Sequence, residues 1–167
     1  MIYNRLVVCG DSYSEGMTDE KVDGHYRGWA DRIADGLAKK SPAFTYANLA
    51  VRGKLLPQVI ADQVPIALTY VTGPETLISF HAGANDALRP GYQASIAKER
   101  YQSAVRTLAA SGGTIMLFTV LEDTGNSGRG SKLWQERFGT FNKGVREVAA
   151  EVGAIIMDAN QERFFSD

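Results

Sequence analysis

The chain has 167 residues, of which 44% are hydrophobic and 22% are charged, and its formal net charge is -1. This composition is that of one globular domain, and the small net charge gives no reason to expect a nucleic acid or an anionic membrane as a partner. No apolar run approaches the roughly 20 residues that span a bilayer, and the N-terminus does not resemble a signal peptide, so we expect a cytoplasmic protein. The single cysteine, Cys9, excludes internal disulfides.

Five short apolar segments predict five β-strands. They span residues 6–9, 45–49, 76–80, 114–120 and 154–157. Because their apolar residues do not alternate with polar ones, they are typical of strands buried on both faces, as in a parallel sheet. Cys9 lies within the first of these segments, where we expect it to be a small buried hydrophobic residue.

Four helical patterns alternate with these strands. They span residues 29–37, 55–68, 92–110 and 134–152, and the second is expected to be kinked or divided at Pro57 and Pro65. Strands that alternate with helices predict right-handed β-α-β units and an open, doubly wound α/β sheet. The loop at residues 122–131, which contains three glycines, is expected to be the most flexible connection.

About ten residues follow the fifth predicted strand, and they carry no helical pattern. In a five-stranded sheet of this type, a final helix normally covers one face beside the first helix. Without that helix, we expect an exposed apolar sheet surface of roughly a few hundred Å², which is uncommon for a soluble monomer. We therefore infer that the 167 residues are a fragment of a longer polypeptide, or are covered by a neighbour in a homo-oligomer.

Three turns that contain glycine or asparagine follow the first three predicted strands. They are Gly10-Asp11-Ser12, the segment 48–53, and Gly83-Ala84-Asn85-Asp86. Since parallel strands point the same way, these turns lie at one edge of the sheet, where open α/β sheets bind their ligands. The N–H groups of Ser12 and Gly53 and the side-chain amide of Asn85 could then converge on one oxygen, as acyl transfer from an ester requires. Ser12 is thus a candidate nucleophile.

These motifs resemble those of the SGNH (GDSL-type) hydrolase superfamily of esterases and lipases. The matching residues are Gly-Asp-Ser at 10–12, Gly53 in Asn-Leu-Ala-Val-Arg-Gly, and Asn85 in Gly-Ala-Asn-Asp. The resemblance covers residues 1–167 as a single domain. It implies a flavodoxin-like, three-layer α/β/α sandwich with a five-stranded parallel sheet, here without its C-terminal helix.

The resemblance also implies an activity and a set of site residues. The chain would hydrolyse carboxylic esters of small molecules without a metal or cofactor. Ser12 would be the nucleophile, and Ser12, Gly53 and Asn85 would form the oxyanion hole. The acyl and alcohol specificity stays open.

The chain departs from the family at the family's last motif, Asp-x-x-His, which supplies the base and the residue that orients it. Asp167 is either the aspartate of this motif or its neighbour, and no histidine follows it. His81 precedes Asn85 by four residues, so we expect it about 13 Å below the strand end, as a satisfied core histidine. We expect His25 to be a solvated loop residue, and the base that activates Ser12 to lie beyond residue 167.

Two alternatives remain open. In the first, the chain is an inert fragment or pseudo-enzyme that keeps an oxyanion pocket and binds acyl or anionic ligands without turnover. In the second, it is a flavodoxin-like module for a nucleotide or flavin, which Tyr13, Glu15 and Asp19 in the first loop disfavour. Arg52 would contact an anionic substrate group or stay solvated, and Asp11 would bond to nearby backbone amides.

Overall fold

The computed structural model describes residues 2–122 and 129–161, with residues 129 and 130 described by their backbone alone. Within these described ranges the chain forms seven strands: β1 (Arg5–Gly10), β2 (Lys21–Val22), β3 (His25–Tyr26), β4 (Thr45–Asn48), β5 (Thr76–His81), β6 (Thr114–Phe118) and β7 (Ile155–Met157). Five of them form a parallel sheet in the order β4-β1-β5-β6-β7. This is the flavodoxin-like strand order, with a topological switch point beside β1.

The helices lie between these strands in the chain. They are α1 (Ser12–Glu15), α2 (Trp29–Ala38), α3 (Leu56–Asp62), α4 (Val64–Thr69), α5 (Ala84–Ala87), α6 (Ala94–Ala110) and α7 (Arg129–Val152). The long apolar pattern at 55–68 is indeed divided, because α3 ends before Gln63 and Pro65 occupies the first turn of α4. A proline is tolerated in a first helical turn because its missing N–H would have no intrahelical acceptor there.

The sheet separates two apolar clusters, which gives three layers. On one face, α3, α4, α6 and α7 pack against side chains such as Val7, Ile78 and Leu117. On the other face, α2 packs through Ala30 and Ala34 against β1, β5 and β6. The predicted three-layer sandwich with a five-stranded parallel sheet is therefore confirmed. Cys9 is fully buried in the first cluster, and burial raises the pKa of its thiol to about 12.

The face that carries α2 is covered unevenly. Within residues 2–122 and 129–161, α2 is the one helix of more than one turn on this face. Phe118 is 8% exposed, whereas Met157, its partner in the parallel register of β7, is 43% exposed. The expected exposure of apolar sheet surface is thus confined to the edge strand β7.

Several local elements differ from the sequence-based predictions. The short antiparallel pair β2–β3 and the one-turn helices α1 and α5 were not predicted, because two- to four-residue elements carry too little periodicity. The two long helices begin at residues 94 and 129 rather than 92 and 134. Residues 123–128 of the loop that we expect to be flexible lie outside the described residues.

The start of the segment after β7 is held to β6 and α7 by Asp158, which is 8% exposed. Its carboxylate accepts hydrogen bonds from Arg146 Nε at 2.7 Å and from Thr119 Oγ1 at 2.9 Å. The bonds from Arg146 are the main reason why the pKa of Asp158 is lowered to about 2. The ionised carboxylate therefore stabilises the folded state.

This pKa shift predicts how stability depends on pH. Because the folded-state pKa lies below the unfolded value, the stabilisation is complete above about pH 4 and is lost as the pH falls towards 2. We expect a contribution of about 2 kcal/mol from a shift of roughly two pKa units. Urea unfolding of the wild type and Asp158→Asn should show a difference at pH 7 that shrinks between pH 4 and pH 2.5. A difference that stays constant over that range would contradict the assignment.

Candidate active site

The three predicted turns meet at the carboxyl edge of the sheet, beside the switch point. The clearest link is the side-chain amide of Asn85, on α5. Its Nδ2 donates to the Lys54 carbonyl oxygen at 3.1 Å and to Asp11 Oδ2 at 3.4 Å. These acceptors belong to the residue after Gly53 and the residue before Ser12. The amide thus lies within hydrogen-bond distance of both neighbouring turns.

The turn after β1 places Ser12 at the first position of α1. Asp11 is the N-cap residue, and its Oδ1 accepts a hydrogen bond from the Tyr13 N–H at 3.2 Å. The N–H groups of a first helical turn have no intrahelical acceptor, so the Ser12 N–H is free to face a ligand. Gly10 is required here, because a Cβ at this position would lie 2.6 Å from the His81 carbonyl oxygen.

The turn after β4 is held against α1 by side chains. Asn48 Nδ2 donates to the Ser14 carbonyl oxygen at 2.8 Å, and the Arg52 guanidinium pairs with the Glu15 carboxylate at 2.7 Å. Gly53 follows with a φ of 76°, a left-handed conformation that favours glycine. Among the described residues, the Gly53 N–H has no hydrogen-bond acceptor. It is therefore available to a ligand.

The Arg52 side chain is paired with Glu15, although about half of it, 49%, is exposed to solvent. The hydrogen bonds from Arg52 are the main reason why the pKa of Glu15 is lowered. The guanidinium also lies over the Tyr26 ring, 5.4 Å from its centroid. Arg52 is exposed, as expected for a solvated arginine, but its pairing with Glu15 was not predicted from the sequence.

Gln63 supports the site, although the sequence did not single it out. It lies between α3 and α4, is 3% exposed, and binds both backbone groups of Gly10. The Gly10 N–H donates to Gln63 Oε1 at 2.7 Å, and Gln63 Nε2 donates to the Gly10 carbonyl oxygen at 3.0 Å. The only signal in the sequence is that Gln63 is a polar residue directly before the apolar run of residues 64–68. That signal does not identify a partner 53 residues away.

Gln63→Ala should lower the free energy of unfolding by about 2–3 kcal/mol, because it leaves the buried Gly10 N–H without an acceptor. The Gly10 carbonyl oxygen keeps its bond from the Val51 N–H, so it contributes less. Urea unfolding measures the loss. Gln58→Ala is the matched control, since Gln58 bonds only to the exposed N–H of Leu55 in the same helix. Equal losses in the two variants would contradict the role of Gln63.

His81 does not lie where the sequence placed it. It is the last residue of β5 and pairs with Gly10 in the register, so it is at the site edge of the sheet rather than 13 Å below it. The estimate assumed extended chain as far as Asn85, whereas the chain turns into α5 at Gly83. His81 is buried, as expected, but it is not satisfied. Its Nδ1 lies 3.8 Å from Asp11 Oδ1 and has no hydrogen-bond partner among the described residues.

The other residues proposed for proton transfer are not joined to Ser12. His25 is exposed in β3 and lines a surface hollow with Glu15 and Arg52. Neither His25 nor His81 forms a hydrogen bond with Ser12 within the described ranges. Asp167 lies outside the described residues. Asp11 bonds to a backbone amide, as predicted, and also to the Asn85 side chain.

The described part of the chain contains no group of three or more side chains of the types that bind metals. Its helices include none that is both long and apolar enough to cross a membrane. Two carboxylates flank Asn85: Asp11, whose Oδ2 accepts a hydrogen bond from its amide, and Asp86, the next residue in the sequence. Burial raises the pKa of Asp86, whose Oδ2 accepts a hydrogen bond from the Leu56 N–H at 2.7 Å. This bond ties α5 to the start of α3.

The strand order and the turns at the switch point define a flavodoxin-like α/β protein with its candidate site at the carboxyl edge of the sheet. The model of the GDSL-like lipase/acylhydrolase family matches residues 8–167, so the chain belongs to this family and to the SGNH hydrolase superfamily. No curated protein matches the sequence.

Solved structures share the fold at low sequence identity. A lipolytic G-D-S-L family protein from Veillonella parvula DSM 2008 is 22% identical, with a TM-score of 0.73 over 98% of this chain and 81% of that one. The psychrotrophic esterase EstA from Pseudoalteromonas sp., inhibited by monoethylphosphonate, is 19% identical, with a TM-score of 0.67 over 93% and 76%. AlinE4, an SGNH-hydrolase family esterase, is 14% identical, with a TM-score of 0.67 over 93% and 75%.

Proposed function

We propose that this chain is a serine hydrolase that cleaves carboxylic esters of small molecules through an acyl-enzyme on Ser12. Ser12 Oγ attacks the carbonyl carbon, and the carbonyl oxygen becomes an oxyanion. The N–H groups of Ser12 and Gly53 and the amide of Asn85 hold that oxyanion. The alcohol leaves with a proton, and water then hydrolyses the acyl ester on Ser12. The proposed reaction uses no metal or cofactor.

The observation that carries this proposal is the placement of Asn85 between the other two turns. Its amide donates to Asp11 Oδ2 and to the Lys54 carbonyl oxygen, the neighbours of Ser12 and Gly53 in sequence. Two donors, the N–H groups of Ser12 and Gly53, have no acceptor among the described residues, so they are free to bind a developing negative charge. Such donors act without rearrangement when the substrate reacts.

The proton acceptor is the component that the described residues do not supply. A serine hydroxyl at neutral pH needs an adjacent base, and the chain has two histidines. Since neither His25 nor His81 hydrogen bonds with Ser12 in the described residues, the proposed reaction needs a proton acceptor that these residues do not bring to Ser12. Added imidazole should then substitute for this base.

The test measures hydrolysis of p-nitrophenyl acetate and labelling by a fluorophosphonate, each with and without imidazole. We expect one label per chain, on Ser12 by peptide mapping, and a labelling rate that rises with imidazole concentration. Samples without protein correct for the reaction of imidazole itself. EstA, a relative in fold, is inhibited by a phosphonate, which supports the choice of probe. Hydrolysis by a chain whose label sits on another residue would contradict the proposal.

A second candidate is a catalytically inert chain that binds acyl or anionic ligands at the same pocket. The lack of a histidine bonded to Ser12 in the described residues favours it. A folded sample that binds a carboxylic ester, yet shows neither label nor turnover with imidazole present, would support this candidate over the hydrolase.

A further inference from the structure

A cleft of about 270 Å³ opens beside Asn85, between the start of α3 and the connection from α5 to α6. Asp86, the residue after Asn85, lines it, and so does Leu55, which follows the Lys54 carbonyl bonded to Asn85. A substrate whose carbonyl oxygen faces Asn85 therefore has room for one arm in this cleft. Leu55, Pro57 and Ile96 give that arm an apolar wall.

Two arginines that line the cleft have no hydrogen-bond acceptor among the described residues. Among the arginines whose side chains the structure describes, all but Arg89 and Arg100 donate a hydrogen bond to a carboxylate, hydroxyl or carbonyl oxygen. Arg89 and Arg100 do not, and both line this cleft. Other arginines are paired with carboxylates, for example Arg52 with Glu15 and Arg106 with Glu151. Two free guanidinium groups beside one cavity favour an anionic ligand.

The remaining polar groups of the cleft do not cancel this charge. Asp86 is the carboxylate in its wall, and its Oδ2 is already bonded to the Leu56 N–H at 2.7 Å. Arg100 acts on Asp86 through its charge but is not within salt-bridge distance of it. A third cation, Arg137, lies 5.5 Å from the centroid of the Tyr92 ring. The cations around the cleft therefore outnumber its carboxylate.

Tyr92 adds an unused polar group to the same wall. Its hydroxyl is buried and has no hydrogen-bond partner among the described residues. A buried hydroxyl without a partner costs free energy. Apolar surface and two free guanidinium groups thus line one cleft, whose wall includes the residues next to Asn85 and Lys54 in the sequence.

We infer that this cleft binds an anionic arm of the ester substrate, a short aliphatic or aromatic segment that ends in a carboxylate or a phosphate and is held by Arg89 and Arg100. The inference rests on the proposed function and narrows its substrate class. A neutral ester of the same size would fill the apolar wall but leave both guanidinium groups without a partner. The preference for the anion should weaken as salt is added, since the arginines are exposed.

Matched pairs of esters test the inference. The first pair compares the mono-p-nitrophenyl ester of glutaric acid with p-nitrophenyl valerate, and its anionic member carries the charge on the acyl arm. A second comparison measures 4-acetoxybenzoate and 4-acetoxyphenyl phosphate against phenyl acetate. Both anions carry the charge on the alcohol arm, and the difference between them distinguishes a preference for carboxylate from one for phosphate. For at least one pair, the double variant Arg89→Gln/Arg100→Gln should lower the ratio of kcat/KM for the anionic ester to kcat/KM for the neutral ester about tenfold. A tenfold change corresponds to about 1.4 kcal/mol, and we expect it mainly in KM.

The control is Arg106→Gln, which removes the same charge from α6 at a residue paired with Glu151 outside the cleft. It should leave the ratio of anionic to neutral kcat/KM unchanged. Comparing each variant with the wild type cancels the intrinsic reactivity of the esters. If the double variant keeps the wild-type ratio for every pair, the inference is wrong.

A binding measurement separates this inference from the proposed function. If no ester is hydrolysed, the hydrolase proposal fails, and calorimetry with each pair on the Ser12→Ala chain still measures the dissociation constants. Tighter binding of an anionic ester, lost with Arg89→Gln/Arg100→Gln, would support the anionic cleft without catalysis. Equal dissociation constants for the anionic and neutral esters would overturn it.

Discussion

Ser12→Ala should remove the fluorophosphonate label and lower ester hydrolysis by about 10³-fold or more, because no other atom forms the acyl-enzyme. The fold should be retained, since the Ser12 hydroxyl has no hydrogen bond with the described residues and the side chain is only partly buried. We expect the free energy of unfolding to change by about 0.5 kcal/mol or less. Intact-mass labelling and urea unfolding of the same sample measure the two effects separately.

The matched control for this variant is Ser14→Ala, two residues further along the same one-turn helix. Ser14 is 1% exposed, and its hydroxyl has no hydrogen-bond partner among the described residues. Ser14→Ala should therefore keep the label on Ser12. A label that survives in Ser12→Ala would show that Ser12 is not the nucleophile, and a label lost in both variants would show that the loss is not specific to the Ser12 hydroxyl.

The central strands of the sheet could be predicted from the sequence because their apolar runs are buried on both faces, although no residue of the edge strands β4 and β7 is buried. In β5 every residue is buried, and in β1 every residue after Arg5 is. Such runs stand out from the amphipathic helices between them without any knowledge of their partners. The ends of the strands are less certain, since Leu49 and Val120 continue the apolar runs beyond the last strand residues.

The meeting of the three turns could also be predicted, since parallel strands carry them to one edge. What could not be predicted is how the side chains there are bonded. The bonds of Gln63 to Gly10 and of Asn85 to Asp11 join residues 53 and 74 positions apart. No local pattern specifies such pairs, because they depend on how α4 and α5 pack against the sheet.

The position predicted for His81 was wrong because the strand was assumed to continue as far as Asn85. The sequence does not show that the chain leaves β5 at His81, because Ala82 and Gly83 fit a strand end or a helix start equally well. Gly83 has a φ of 114°, and a Cβ there would lie 2.6 Å from Phe141 Cζ. The turn therefore depends on a glycine packed against α7, which is a tertiary contact. Once the turn is formed, α5 brings Asn85 back towards Asp11.

Asn85→Ala should lower kcat for a neutral ester, and the rate of fluorophosphonate labelling, by about 10²- to 10³-fold, because it removes one of three donors to the oxyanion. The amide has two hydrogens, and its bond to Asp11 Oδ2 is the longer of the two, at 3.4 Å against 3.1 Å for the Lys54 carbonyl oxygen. We expect the oxyanion to replace Asp11 as acceptor while the bond to Lys54 keeps the amide oriented. KM should change little, since the interaction strengthens only as charge develops.

Asn48→Ala separates this role from support of the surrounding turns. Asn48 Nδ2 donates a hydrogen bond to the Ser14 carbonyl oxygen, and Asn48 Oδ1 accepts one from the Ala50 N–H, so Asn48 joins the turns away from the proposed oxyanion. Its loss should lower the free energy of unfolding by about 1–2 kcal/mol and reduce kcat far less than Asn85→Ala does. Similar reductions in kcat for both variants would mean that Asn85 only holds the turns together. A large loss for Asn85→Ala alone would assign its amide to the transition state, since a purely structural amide at this edge would affect stability before rate.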